Sequence, residues 1–286
     1  MDAIRQGFGV WLSPQTLLKT PVAVQREQFA RIERLGYRSL WSGEPPGVHG
    51  GSREAFAQHG IMLAATERLV VGTGIANIVM RDPVAMHGGA ATLAEAYPDR
   101  FVLGLGGHSG PRPLTMLREY LDAMDAAAGR LLPSVRYPRV LAALGPKAHQ
   151  VVDARADGAH PFLQPVRQTE IARASLRSGK LVIPQQTVVL ETDPDAARGR
   201  LLALFSRGVG DAQSSYRRNY RRLGYRDDER ERLIDDLLAW GDGAAVAERL
   251  RAHADAGADH VLVHPIAPDL VSTVDQLERL APFLKG

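Results

Sequence analysis

Short β-branched apolar runs alternate with helix-forming stretches eight times along this chain, and no other feature constrains its fold as strongly. The runs are Phe8 to Leu12, Ser39 to Ser42, Leu69 to Ile78, Phe101 to Gly106, Arg139 to Leu144, Gly158 to Phe162, Leu181 to Leu190 and Val261 to His264. Between them lie segments of helical spacing: Val22 to Leu35, Ala55 to Thr66, Pro83 to Tyr97, Pro113 to Ala128, Pro146 to Arg155, Pro165 to Arg177 and Asp195 to Phe205, with Leu270 to Leu284 last. Proline suits the first turn of a helix, where its missing N–H has no intrahelical partner. Eight strand–helix units without a long linker predict an α/β fold, a (β/α)8 TIM barrel, over an open doubly wound sheet. At 286 residues the chain is long enough for one such barrel, and the whole of it reads as a single domain. The stretch from Gly208 to Gly243 interrupts the rhythm and predicts added helices between strands seven and eight, Asp211 to Leu223 and Asp228 to Trp240.

Composition excludes several chemistries. With no cysteine the chain can form no disulfide, thiolate metal site or cysteine nucleophile. A net charge of +3 is a weak footprint for nucleic acid. No apolar run nears the roughly 20 residues of a membrane span, and the polar start lacks a secretion leader, so a cytoplasmic protein is expected. The nine histidines include no HExxH pair and no compact trio, so no metal is expected.

In a barrel the chemistry gathers where strands end. That rule selects Glu44 after strand two, Asn77 after strand three, Gly106, Gly107, His108 and Ser109 after strand four, Gly145, Pro146 and Lys147 after strand five, His160 after strand six and His264 after strand eight. Glu44 is a candidate acid or a partner for an arginine. His108 in its Gly-rich loop is a candidate ligand contact. Glycines at 72, 74, 104, 106 and 107 thin two neighbouring strands, which suits either a flat ligand against the backbone or tight packing inside the barrel. Gly145-Pro146-Lys147 at a helix start suits a phosphate, because free N–H groups and a cation converge there. Gly104-x-Gly106-Gly107 lacks the spacing of a dinucleotide fingerprint. Arg217, Arg218, Arg221, Arg222 and Arg226 crowd one short stretch that is followed by Asp227, Asp228, Glu229 and Glu231. That pattern reads first as a solvated helix face.

Several of these segments resemble the luciferase-like flavin and deazaflavin oxidoreductases. They are Val71-Gly-Thr-Gly-Ile-Ala-Asn77 with Arg81-Asp-Pro83, Ala94 to Gly107 containing Asp-Arg-Phe-x-Leu-Gly-x-Gly, Ala142-Ala-Leu-Gly-Pro-Lys147 with Ala156-Asp-Gly158, and Gly36-Tyr-Arg-Ser-Leu-Trp41. The likeness extends over nearly the whole chain and is nearest to actinobacterial coenzyme F420-dependent enzymes. It implies an oxidoreductase that passes a hydride between coenzyme F420 and an organic substrate. An FMN-dependent monooxygenase and a non-catalytic cofactor-binding barrel are the alternatives. The candidate cofactor contacts are Gly74, Ile75, Asn77, Gly106, Gly107, Ser109, Gly145, Pro146, Lys147 and His160, and Glu44 and His108 are the candidate catalytic residues. Family members often carry a non-proline cis peptide in the third-strand bulge, and Gly74–Ile75 is the matching bond. Glu44 stands where deazaflavin sugar-phosphate dehydrogenases of the family carry a histidine, and Ser109 near where they carry a glutamate, so their acid–base pair is not reproduced. The arginine-rich stretch could meet the polyanionic tail of F420. The expected partners are a small-molecule substrate and a second copy of the chain in a homodimer, with neither nucleic acid nor membrane.

Overall fold

The computed structural model describes residues 4–5, 7–45, 51–107, 111–204 and 214–285. Its strands are β1 (Phe8–Leu12), β2 (Ser39–Ser42), β3 (Val70–Thr73), β4 (Ala76–Asn77), β5 (Phe101–Gly106), β6 (Arg139–Leu141), β7 (Gly158–Ala159), β8 (Leu181–Val182), β9 (Gln185–Val189), β10 (Leu238–Trp240) and β11 (Val261–Pro265). All pair in parallel, in the order β10-β9-β11-β1-β2-β3-β5-β6-β7-β8, with β4 on β5. The stretch from Leu181 to Val189 brings the ladder round. Ile183 N–H donates to Ala159 on one side, while the carbonyls of Val182 and Pro184 accept from Asp259 and Leu262 on the other. The result is the expected parallel β/α barrel.

The helices are α1 (Pro14–Lys19), α2 (Val22–Arg34), α3 (Ala55–Ala64), α4 (Pro83–Ala96), α5 (Pro113–Ala128), α6 (Pro146–Arg155), α7 (Val166–Ser175), α8 (Pro194–Leu204), α9 (Ser215–Arg222), α10 (Arg230–Leu237), α11 (Gly243–Asp255) and α12 (Leu270–Leu284). Local chemistry starts many of them. The side chains of Ser13, Glu54, Asp82, Ser214, Asp242 and Asp269 each cap a helix by accepting a first-turn N–H.

Alternation along the strands builds two apolar layers. Val10, Leu12, Leu40, Val71, Leu103, Leu141 and Val263 face the helices. Trp11, Trp41, Val70, Val102, Val140, Leu181, Ile183 and Leu262 fill the barrel. Trp41 is fully buried inside it, and glycines make the room. A Cβ at Gly72 would lie 2.5 Å from the Trp41 ring, and one at Gly9 would lie 2.0 Å from Ser39 Oγ.

The structure corrects three sequence expectations. The third strand breaks at a cis Gly74–Ile75 bond into β3 and β4. The seventh breaks around Ile183-Pro184 into β8 and β9, since proline has no N–H for the ladder. The segment expected to be helical through Trp240 leaves the helix after Leu237. There Leu238-Ala239-Trp240 pairs with Thr187-Val188-Val189. A further helix, α1, follows β1 without having been expected. Among the described residues no helix is long and apolar enough to cross a membrane.

Candidate functional site

The carboxyl ends of the strands meet above a buried aromatic layer. Trp11 from β1 lies 4.8 Å from Phe162 and 4.4 Å from His264, centroid to centroid. Its indole N–H donates to the carbonyl of Gly74 at 2.9 Å. That carbonyl belongs to the cis Gly74–Ile75 peptide, so the bulge and the aromatic layer are fastened together. β4 then pairs Ala76 and Asn77 with Leu105 and Gly106. Residues 75–77 and 105–107 thus form a backbone shelf beside the aromatic floor.

Glu44 braces this shelf. Its carboxylate forms an ion pair with Arg81 and accepts the N–H of Asn77 at 3.0 Å, while its own N–H donates to Ile75 at 2.9 Å. Arg81 also pairs with Glu54 at 3.0 Å and lies over the Phe56 ring. Burial alone would lower the Arg81 pKa, but the hydrogen bond and charge of Glu44, aided by Glu54, hold it above the ordinary range. Glu44 and Arg81 present only 4% and 11% of their side chains to solvent. The carboxylate serves this arginine pairing and is enclosed. Asn77 is likewise enclosed: its Oδ1 accepts from Val79 N–H in a turn, and its Nδ2 donates toward the Glu44 carbonyl.

The glycines are explained by packing. A Cβ at Gly74 would lie 2.8 Å from the Trp11 indole nitrogen, one at Gly104 would lie 2.0 Å from the Thr73 carbonyl, and one at Gly106 would lie 2.7 Å from the Ala142 Cβ. Gly107 has a φ of +100°, a left-handed conformation that favours glycine. His160 lies beneath the bulge rather than on the shelf. Its Nδ1–H donates to Ile183 at 2.7 Å, and its Nε2 is buried without a partner among the described residues. Burial pushes its pKa down to about 4, the Ile183 bond opposing only in part.

After β6, the strand next to β5, Gly145 begins α6 with no side-chain cap. The added helix α9 is held against this point. Asn219 donates to Gln164 at 2.6 Å and Gln168 at 2.9 Å, and Tyr220 donates to the Leu163 carbonyl at 2.8 Å. Arg222 then reaches the Leu144 carbonyl and Asn219, and a Cβ at Gly145 would sit 2.6 Å from its guanidinium. No carboxylate pairs with Arg222 among the described residues. Burial lowers its pKa from the ordinary value. Lys147, exposed in the first turn of α6, has no hydrogen bond or ion pair among the described residues. The neighbouring arginines are neutralised locally: Arg217 and Arg221 by Asp227, and Arg226 by Asp228 and Glu229.

The structure therefore brings Gly74, Ile75, Asn77, Gly106 and Gly107 into one shelf and sets Gly145, Pro146 and Lys147 after the neighbouring strand β6. His108 and Ser109 lie outside the described residues, as does His49. Arg81, Trp11 and Gln185 were not singled out by the sequence, because their roles depend on partners 37, 63 and 79 residues away. Among the described residues no group of His, Asp and Glu is arranged to hold a metal.

The residues present fit a planar cofactor carrying a phosphate. A backbone shelf lies beside an aromatic floor, and an uncapped helix start faces an arginine without an acid partner among the described residues. A family model for luciferase-like monooxygenase matches residues 6–260. A Mycobacterium tuberculosis protein named as a coenzyme F420-dependent oxidoreductase is 23% identical, over 83% of this chain and 89% of its own length. An F420-dependent secondary alcohol dehydrogenase, solved with an F420–acetone adduct, superposes with a TM-score of 0.73 at 17% identity, covering 99% of this chain and all of the other. The FMN-bound oxygenating constituent of 3,6-diketocamphane monooxygenase from Pseudomonas putida superposes at 0.72 with 11% identity, over 98% of each chain.

Proposed function

The chain belongs to the luciferase-like monooxygenase family and is an oxidoreductase enzyme, and on that premise we propose that it transfers a hydride between coenzyme F420 and a small organic substrate. The observation that supports a phosphate-bearing cofactor is the uncapped start of α6, with Arg222 against it and Lys147 exposed in its first turn. A helix start and two cations suit the phosphate of such a cofactor. The similarity to a mycobacterial protein named for F420 supports the same reading.

When bound, the deazaflavin supplies the hydride chemistry. The residues of this chain bind and orient it. Ile75 and Gly107 offer the accessible part of the shelf, Asn77 and Gly106 hold it from within, and Gly145, Pro146, Lys147 and Arg222 hold the phosphate. The Glu44–Arg81 pair keeps the shelf in place, while Trp11 and Phe162 close the barrel beneath it and exclude water. His160 supports the bulge from below as a neutral ring.

FMN is the second reading, favoured by the similarity in fold to an FMN-bound oxygenase. Titration of the purified protein with each cofactor, followed by fluorescence quenching, separates the two. Micromolar or tighter affinity for F420 and at least tenfold weaker binding of FMN is the expected result. The reverse order overturns the F420 assignment.

A further inference from the structure

Beside the shelf a chain of hydrogen bonds ends in a ring nitrogen that the reading above leaves unused. Leu163 N–H donates to Gln185 Oε1 at 2.9 Å, which fixes how the Gln185 amide is turned. Its Nε2 therefore faces Thr187 Oγ1 at 2.9 Å and His264 Nδ1 at 3.0 Å. An amide nitrogen can only donate, so His264 Nδ1 accepts, and the ring proton of neutral His264 resides on Nε2. That Nε2 has no partner among the described residues, yet it is not among the sealed, unpaired atoms, as His160 Nε2 is. His264 keeps 8% of its surface exposed, whereas His160, His253 and His260 keep 1% or less. The ring stands against Trp11, whose N–H holds the Gly74 carbonyl.

We propose that His264 is a substrate-binding residue that donates its Nε2–H to an uncharged carbonyl oxygen, with Gln185 as the positioning residue that sets its tautomer. The proposal rests on the oxidoreductase reading for its site and narrows the substrate to a neutral carbonyl compound, or the corresponding alcohol, with an apolar body. The chemistry of the surroundings sets that class. The donor is flanked by the rings of Trp11 and Phe162. Burial alone depresses the His264 pKa, to about 3, with no charged neighbour contributing. A neutral N–H in an apolar wall polarises a carbonyl but does not repay the desolvation of a carboxylate or phosphate. The ring keeps its proton throughout: reduction of the carbonyl takes a hydride onto carbon and a proton from water onto oxygen, oxidation of the alcohol returns both by the same routes, and His264 only holds the oxygen by its N–H.

The test reads the tautomer directly. In the full-length protein labelled with 15N-histidine, two-bond 15N–1H correlation spectra should show His264 with its proton on Nε2, the signal being assigned by its loss in His264→Asn. Gln185→Glu, which can accept but not donate, should move the proton to Nδ1. Cyclohexanone, cyclopentanone and 2-butanone are the probes, and at least one should shift the Nε2–H resonance of the wild-type protein. With cofactor loaded, His264→Asn should lower kcat/KM for the responding ketone about 10²-fold. His264→Gln, which restores a donor near the Nε2 position, should recover most of it, with F420 affinity within twofold of wild type in both. A proton on Nδ1 in the wild type overturns the proposal. So does the failure of all three ketones to move the Nε2–H resonance, whether or not F420 binds. Absence of F420 binding alongside a ketone-responsive Nε2–H would instead sink the cofactor assignment and leave this site standing. If Gln185→Glu does not fold, the wild-type tautomer and the ketone titration decide the outcome alone.

Discussion

Replacing Glu44 by glutamine separates a structural brace from a chemical group. The carboxylate and Arg81 are both largely withdrawn from water. At about 4 Å and an effective dielectric near 20, opposite charges attract by about 4 kcal/mol, and removing one partner of a buried pair typically costs about 3–5 kcal/mol. Two features soften the loss. Glutamine can still accept the Asn77 N–H, and Arg81 keeps Glu54 at 3.0 Å. The expected destabilisation is therefore about 2–3 kcal/mol, smaller than full removal of a partner. For a chain of this size that is a Tm decrease of about 6 °C, at roughly 2–4 °C per kcal/mol. Urea unfolding of Glu44→Gln, Arg81→Met and the double variant gives the coupling energy, expected near 2 kcal/mol. Coupling below about 0.5 kcal/mol would refute the brace, since distant or independent sites add within that margin. So would unchanged stability accompanied by a 10²- to 10⁴-fold loss of turnover, the signature of a lost acid or base.

Three further outcomes follow from other parts of the molecule. His160 is held to about 4 and His253, His260 and His264 to about 3, each chiefly by burial. The folded state therefore refuses protons that the unfolded chain takes up below about 6.5, and stability present above that pH is lost as pH falls toward 4. Each ring contributes a slope of up to about 1.4 kcal/mol per pH unit, so urea midpoints should drop steeply between pH 6.5 and 5, and a flat profile there would show the rings to be solvated. Gly72→Ala places a methyl 2.5 Å from the Trp41 ring and should destabilise by about 1–3 kcal/mol with a shifted tryptophan emission, whereas a neutral effect would mean that the barrel interior gives way freely. Lys147→Ala and Arg222→Gln should each weaken F420 binding three- to tenfold, equivalent to about 0.7–1.4 kcal/mol, while leaving a phosphate-free deazaflavin unaffected; equal weakening of both ligands would move the phosphate elsewhere.

The barrel was legible because its signal is local and repeated. Each apolar run and each capped helix follows from neighbours in sequence, and eight repeats leave few ways to pack. The Gly74–Ile75 bulge was anticipated through the family resemblance, and the α6 start through a proline that suits the first turn of a helix. The division of labour among side chains was not. Whether Glu44 acts on a substrate or braces a loop depends on Arg81, 37 residues away, and whether strand glycines admit a ligand or Trp41 depends on which side chains share the barrel interior. Arg222 looked like one of five solvated arginines until α9 was seen clamped by Asn219 against α7, which turns that one side chain toward α6. The tautomer of His264 is further still from the sequence. It is set by an amide whose orientation is itself fixed by a backbone N–H 22 residues upstream. Periodicity and caps act along the chain and can be read there. Hydrogen-bond direction and burial arise only when distant segments meet, so the fold was written locally and the roles of the site residues were decided by tertiary contact.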